Sequence, residues 1–154
     1  MKQLGLSIVV AIGLTLPASA QSIKDQLVGT WRTVSYTSSV NPGLCAKPNA
    51  ISVYDASGHY VFINAPLGRP KASGRPLTAS PAEEIKAVDQ GFAANFGTWT
   101  YNEADKTMTF HVEGAFFPNN EGNDLKGSPL VSVTADELRF AGPNGEAVLR
   151  RVSK

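Results

Sequence analysis

The chain has 154 residues, 42% of them hydrophobic, and 14 Lys and Arg against 13 Asp and Glu. That length suits one ordinary domain with one core. A formal charge of +1 leaves no field of one sign to draw it to nucleic acid or to an anionic lipid surface.

In chain order, the first segment is not read as part of the fold. Met1 and Lys2 give a positive start, residues 4–16 are apolar without a charge, and Pro17, Ala18, Ser19 and Ala20 form a small-residue end. This is the pattern of a secretory signal peptide cut between Ala20 and Gln21. The apolar run is shorter than the roughly 20 residues of a spanning helix, so the sequence predicts a secreted or periplasmic protein with no stable membrane anchor. The domains are then a leader over 1–20 and a single folded domain over 21–154.

After the cut, Ser22 is placed to cap a helical turn over 22–28 with Ile23, Leu27 and Val28 facing inward. A strand follows over 29–37. The next segment carries the single cysteine, Cys45, among Pro42, Gly43, Lys47 and Pro48. One cysteine cannot close an internal disulfide, which leaves a partly shielded unpaired thiol or, as the alternative, a Cys45-linked dimer. Strands over 50–54 and 59–64 flank Asp55-Ala56-Ser57-Gly58, which reads as a tight hairpin turn with glycine where φ is positive.

Residues 65–79 change character, with Pro66, Pro70 and Pro76 beside Arg69, Lys71 and Arg75. Steps onto proline resist helix, so this is an extended loop, read as solvated, with an anion site or a lid built on its cations as the alternative. A helix follows, for which Ser80 is the predicted N-cap, Pro81 the first helical residue and Glu83 the partner in a capping box. Ile85, Val88 and Phe92 make its apolar stripe. Strands resume over 96–101, 107–114, 130–134, 137–141 and 147–152, with Asn144-Gly145 marking the last hairpin. Eight strands and one helix between the third and fourth predict an all-β, eight-stranded antiparallel up-and-down barrel.

Gly29 and Trp31 open the first strand, and Arg150 and Arg151 end the last. An indole at the barrel base with one guanidinium across its face would seal that end, a contact of roughly 0.5 to 2 kcal/mol.

Four runs in order, Leu27-Val28-Gly29-Thr30-Trp31-Arg32-Thr33-Val34-Ser35-Tyr36, Val53-Tyr54-Asp55-Ala56-Ser57-Gly58-His59-Tyr60, Asn95-Phe96-Gly97-Thr98-Trp99-Thr100-Tyr101 and Met108-Thr109-Phe110-His111-Val112-Glu113, resemble the successive motifs of the lipocalin-like domain family of small calycin-type barrels. The resemblance implies an eight-stranded barrel open at one end, in a group that ranges from carriers of hydrophobic molecules to cyclases. The lengthened loop with its two Gly-Arg-Pro tripeptides departs from that pattern at the open end.

Candidate chemistry is sparse. The two histidines are His59 and His111. Alternation along a strand puts His111 on one face with Glu113. If that face lines the barrel, the pair can orient a ligand or act as a general base in an isomerase or cyclase, with Tyr60 as another partner. The opposite face, with Met108, Phe110 and Val112, is the more apolar lining. Tyr60, Phe62, Trp99, Tyr101, His59 and His111 are the ligand-binding candidates. Together with Tyr36, Tyr54, Phe96, Phe110, Phe116 and Phe117, the aromatic candidates among them would build either a pocket or a filled core.

No motif for a cofactor is present. Two histidines on separate strands lack a zinc site's spacing, and the oxygen-rich run 119–124 lacks that of an EF-hand, so no metal is expected. The predicted function is binding of a small hydrophobic or amphipathic molecule. The alternatives are an enzyme of that same cavity and a solid interaction module whose 65–79 loop meets a protein.

Overall fold

The computed structural model describes residues 21–39 and 48–152. The leader over 1–20 and Cys45, with the disulfide-linked dimer it suggested, lie outside the described residues. Two helices, α1 (Ile23–Leu27) and α2 (Ala82–Asp89), accompany nine strands. These are β1 (Gly29–Ser38), β2 (Ala50–Tyr54), β3 (His59–Asn64), β4 (Ala93–Asn102), β5 (Thr107–Ala115), β6 (Asp124–Lys126), β7 (Leu130–Val133), β8 (Glu137–Gly142) and β9 (Gly145–Arg151).

The strands make one curled antiparallel sheet in the order β6-β5-β4-β3-β2-β1-β9-β8-β7. Sequence neighbours lie side by side, and the last strand returns to pair with the first along Trp31↔Arg151 through Ser38↔Gly145. The count differs from the expected eight by β6, three residues that pair with β5. No alternating apolar run announces so short a strand. Between β6 and β7 the chain changes partner. The Gly127 and Leu130 amides donate to the Met108 and Lys106 carbonyls beside β5, whereas the Pro129 carbonyl accepts from Ala141 of β8. Pro129 has no N–H to donate, which interrupts the ladder at that point.

The closed end of the curl is built on Trp31, which is fully buried. Its indole Nε1 donates to the Leu27 carbonyl at 2.8 Å, and the Arg151 guanidinium carbon lies 4.0 Å from the ring centroid. That guanidinium also donates to the carbonyls of Val28 at 2.9 Å and Gln26 at 2.8 Å. One arginine thus ties the end of β9 to α1. Gly29 permits this approach, because at φ 145° a Cβ would lie 2.2 Å from Arg151 Nη1. Arg150, the other candidate, is on the outer face, 69% exposed and 3.7 Å from Glu137. Alternation explains the choice: Arg150 stands opposite Arg32 and Arg151 opposite Trp31.

Around Trp31 the core continues through Leu27, Tyr54, Tyr60, Trp99, Met108, Leu130, Leu138 and Leu149. Ser22 caps α1 by accepting from the Asp25 amide at 3.1 Å. The capping box expected for α2 does not form. The helix starts after Pro81 with no side-chain cap, because the Ser80 hydroxyl accepts instead from the Gly74 amide at 2.8 Å. Phe92 falls beyond the helix, and no residue of α2 is fully buried.

Candidate functional site

Beyond the Trp31 end, the inner face of the sheet lines a half-open cavity of about 480 Å³. Its floor is a ring cluster. Tyr54 and Phe110 stack at 6.0 Å, and Tyr60 tilts against Phe110 at 4.9 Å. Trp99 lies beneath, 5.5 Å from Tyr54, with its indole donating to the Asp55 carbonyl at 3.3 Å. Above the floor the walls carry Phe62, Asn64 and Asn95 on one side and Tyr36, Phe140 and Ala147 on the other.

Local geometry explains which side chains point in. Along β3 the residues His59, Val61 and Ile63 face out and Tyr60, Phe62 and Asn64 face in, as period-two alternation requires. In β1 the pairing shifts between Thr33 and Ser35. The extra residue reverses the alternation, so Tyr36, odd relative to Trp31, still reaches the cavity. On β4 the alternation is unbroken, so Phe96 faces out and Trp99 in; the second bulge lies across from Phe96 and Gly97, where Glu113 of β5 is the extra residue.

Two polar atoms in this apolar setting are unsatisfied. The Tyr60 hydroxyl and the Asn64 Oδ1 are buried and have no hydrogen-bond partner among the described residues. Their residues are 3% and 6% exposed. Asn64 is held by its Nδ2, which donates to the Gly91 carbonyl at 3.1 Å, so its oxygen is the free acceptor. Burial, helped by the nearby Tyr54 and Glu113, pushes the Tyr60 phenol up to about 12, and it remains a hydrogen-bond donor across the physiological range. Burial also raises Tyr54, partly offset by the Ser52 hydroxyl.

Lys126 is the charged residue of the described lining. Its Nζ lies 2.6 Å from Asp105 Oδ2. Hydrogen bonds from Lys126 and Thr107 hold the Asp105 carboxyl down to about 2.

Of the ligand-binding candidates, Tyr60 and Phe62 line the cavity. Trp99 is packed below it, and Tyr101 does not reach it. The two histidines are outside. His111 Nδ1 lies 2.9 Å from Asp124 Oδ1, the two side chains 54% and 67% exposed. His59 belongs to the β2–β3 hairpin, its Nδ1 2.9 Å from Ser57 Oγ and its amide donating to Asp55 Oδ1 at 2.8 Å. Glu113 is exposed as well. The inward polar patch of His111 and Glu113 therefore does not form, because Met108, Phe110 and Val112 take the inner positions of β5. Phe116 and Phe117, like Phe96, are exposed rather than converging on the pocket.

Of the loop cations, Arg69 is engaged within the loop and by α2. Arg69 donates to the carbonyls of Pro66 at 3.2 Å and Val88 at 3.0 Å and lies 5.2 Å from the Phe92 ring centroid, which straps the loop to α2. The Glu84 carboxylate accepts from the Ser73 amide and hydroxyl, each at 2.8 Å, and those bonds lower its pKa. Asn64 is the site residue the sequence reading passed over. The signal was there in its position, two and four residues after Phe62 and Tyr60 on the face opposite His59.

No family model matches the sequence, and no curated protein does either. Among solved structures, the fold is similar to that of a lipocalin-like protein from Bacteroides uniformis, with a TM-score of 0.50 and 11% identity over 82% of this chain and 99% of that one. An uncharacterized protein from Bacteroides eggerthii gives a TM-score of 0.47 at 11% identity, over 81% of this chain and 98% of that one. The curled antiparallel sheet is thus a lipocalin-like fold.

Proposed function

We propose that this chain is an exported binding protein whose sheet acts as a closed eight-stranded barrel holding a small hydrophobic or amphipathic molecule. For closure, the support is that β6 and β7 are successive stretches of one bent segment, bonded to β5 on one side and to β8 on the other. Counting that segment once restores eight strands. Export rests on the leader pattern of the first twenty residues.

The observation that carries the binding reading is the cavity itself. A volume of about 480 Å³ walled mostly by rings and aliphatic groups falls in the range of small-molecule sites. A solid interaction module would carry side chains in this space, whereas here the inner face of the sheet leaves it open. The few polar groups present are the kind that fix a ligand's orientation. An enzyme of the isomerase or cyclase kind draws no support from His111 and Glu113, which are on the outer face.

Native mass spectrometry of protein purified from its own host tests the reading, with a retained adduct of a few hundred daltons as the expected result. Titration with the fluorescent apolar probe N-phenyl-1-naphthylamine is the second test, with emission rising to a one-to-one end point. Adduct-free protein that also leaves the probe dark would overturn it.

A further inference from the structure

We infer that the outer face of β2 to β5 is the contact surface for a second copy of this chain, in a weak twofold dimer. The inference goes beyond the binding reading, because this face lies on the opposite side of the sheet from the cavity. Strand pairing gathers its side chains. Ile51 stands opposite Ile63 and Val53 opposite Val61, Val61 stands opposite Phe96, and partners across a ladder share a face. The Phe96 ring lies over Gly114, where a Cβ would come within 2.5 Å of its Cζ. Just after β5 the Phe116 amide donates at 2.8 Å to the carbonyl of Ala94, the partner of Ile63, and the Phe116 ring meets Phe92 edge-on at 4.8 Å. One apolar band therefore runs across four strands.

Val61, Ile63, Phe96 and Phe116 are between 40% and 53% exposed. Side chains of that size leave on the order of 300 to 400 Å² of apolar surface bare, as much as the largest patch of a typical monomer. A stable interface covers roughly 800 Å² per partner, so the band is the core of a contact that a polar rim completes. An area of that size supports a dissociable dimer, with a Kd of about 10 to 100 μM. The curl makes this side of the sheet convex. Two convex faces touch along a strip a few strands wide, which is the width of the band.

The rim identifies the occupant. On the β1 side the band ends at Arg32, the exposed register partner of Ile51, whose Nη1 donates to Asn49 Oδ1 at 3.3 Å. Arg150 stands beside it, 3.7 Å from Glu137. On the β5 side the band ends at Glu113, the exposed bulge residue, and at Glu121, whose carboxylate accepts from the Ala115 amide at 3.1 Å. Asp124 beyond them is taken by His111 at 2.9 Å. A face that is basic at one flank and acidic at the other repels one end of any partner carrying a single sign of charge, but it complements itself. A twofold axis parallel to the strands lays the apolar band of one copy on that of the other and sets each Arg32 over the opposite acidic flank.

Sedimentation velocity of the folded protein between about 5 and 500 μM decides the matter, with monomer passing to dimer as the expected result. Val61→Lys and Phe96→Ser, both at exposed positions, should each weaken the dimer by about tenfold or more while Tm stays within a few degrees. Val131→Lys, at an exposed position on β7, should leave it within about twofold. Glu113→Arg should weaken it about fivefold, and adding Arg32→Glu should recover most of that loss, because the two flanks have then exchanged signs. A chain that stays monomeric to about 500 μM overturns the inference, as does a dimer that Val61→Lys and Phe96→Ser leave intact. A charge exchange that recovers nothing overturns the twofold parallel to the strands. Co-sedimentation of the monomer with vesicles of phosphatidylcholine and phosphatidylglycerol, abolished by Phe96→Ser, would assign the face to a lipid surface and overturn the second copy.

Discussion

Replacing Trp31 with alanine empties the best-packed position of the fold. The indole is fully buried, and truncating such a residue costs about 3 to 5 kcal/mol, because the surrounding backbone closes the void only in part. Two further losses are specific to this site. The Leu27 carbonyl loses the indole donor at 2.8 Å, and the Arg151 guanidinium loses the ring lying 4.0 Å away. Each is worth on the order of 1 kcal/mol, already partly counted in truncation data. For a domain of this size, 1 kcal/mol moves Tm by roughly 3 to 5 °C, so Trp31→Ala should lower it by about 10 to 20 °C in a calorimetric scan. Trp31→Phe keeps an aromatic face under Arg151 and should cost about a third as much. In a double-mutant cycle with Arg151→Ala, the two changes should be less than additive by about 1 kcal/mol. A fall of less than about 3 °C for Trp31→Ala, or strict additivity in the cycle, would refute the reasoning that these two side chains hold the end of the sheet together.

Gly29→Ala should destabilise without touching any apolar contact, since its Cβ would collide with Arg151 Nη1 at a φ of 145°; denaturant midpoints should fall, and Arg151→Ala should reduce the loss by removing the obstacle. The phenol of Tyr60, raised to about 12 from an ordinary 10, keeps its proton in the native state after the unfolded chain has released its own. Native protein then binds more protons between pH 10 and 12, so stability falls as pH rises through that window, by up to about 2 to 3 kcal/mol. Urea midpoints of Tyr60→Phe should show a correspondingly shallower alkaline decline, and parallel curves would discard the buried-phenol argument. For Asp105, lowered from 3.8 to about 2, the stabilising contribution is present above pH 4 and lost as pH falls toward 2; Asp105→Asn should flatten the acid limb of the Tm profile there. His111→Ala with Glu113→Gln should leave binding of N-phenyl-1-naphthylamine unchanged within twofold, because both side chains stand outside the cavity, and a larger loss would reopen the enzymatic reading.

The sequence by itself determined the class of fold and most of its elements. Turn chemistry set the hairpin at 55–58 and the last one at Asn144-Gly145, and the Trp31 and Arg151 positions follow from where the first and last strands begin and end. Local signals of this kind depend on a few consecutive residues, so they survive without tertiary context. The facing of side chains was another matter. On β2 and β3 both sides are apolar, with Ile51, Val53, Val61 and Ile63 outside and Tyr54, Tyr60 and Phe62 inside, and alternation gives no sign of which face is the lining. The bulges at Thr33–Ser35 on β1 and at Glu113 on β5 reverse the alternation midway, a shift no periodicity count anticipates. Ser80 satisfied every local rule for a helix cap, yet its hydroxyl serves Gly74, six residues back. The cavity, the burial of Tyr60 and Asn64 in its walls and the exclusion of His111 from it arise only when strands distant in sequence curl over one another. They are set by pairing register across the sheet, which short stretches of chain do not encode.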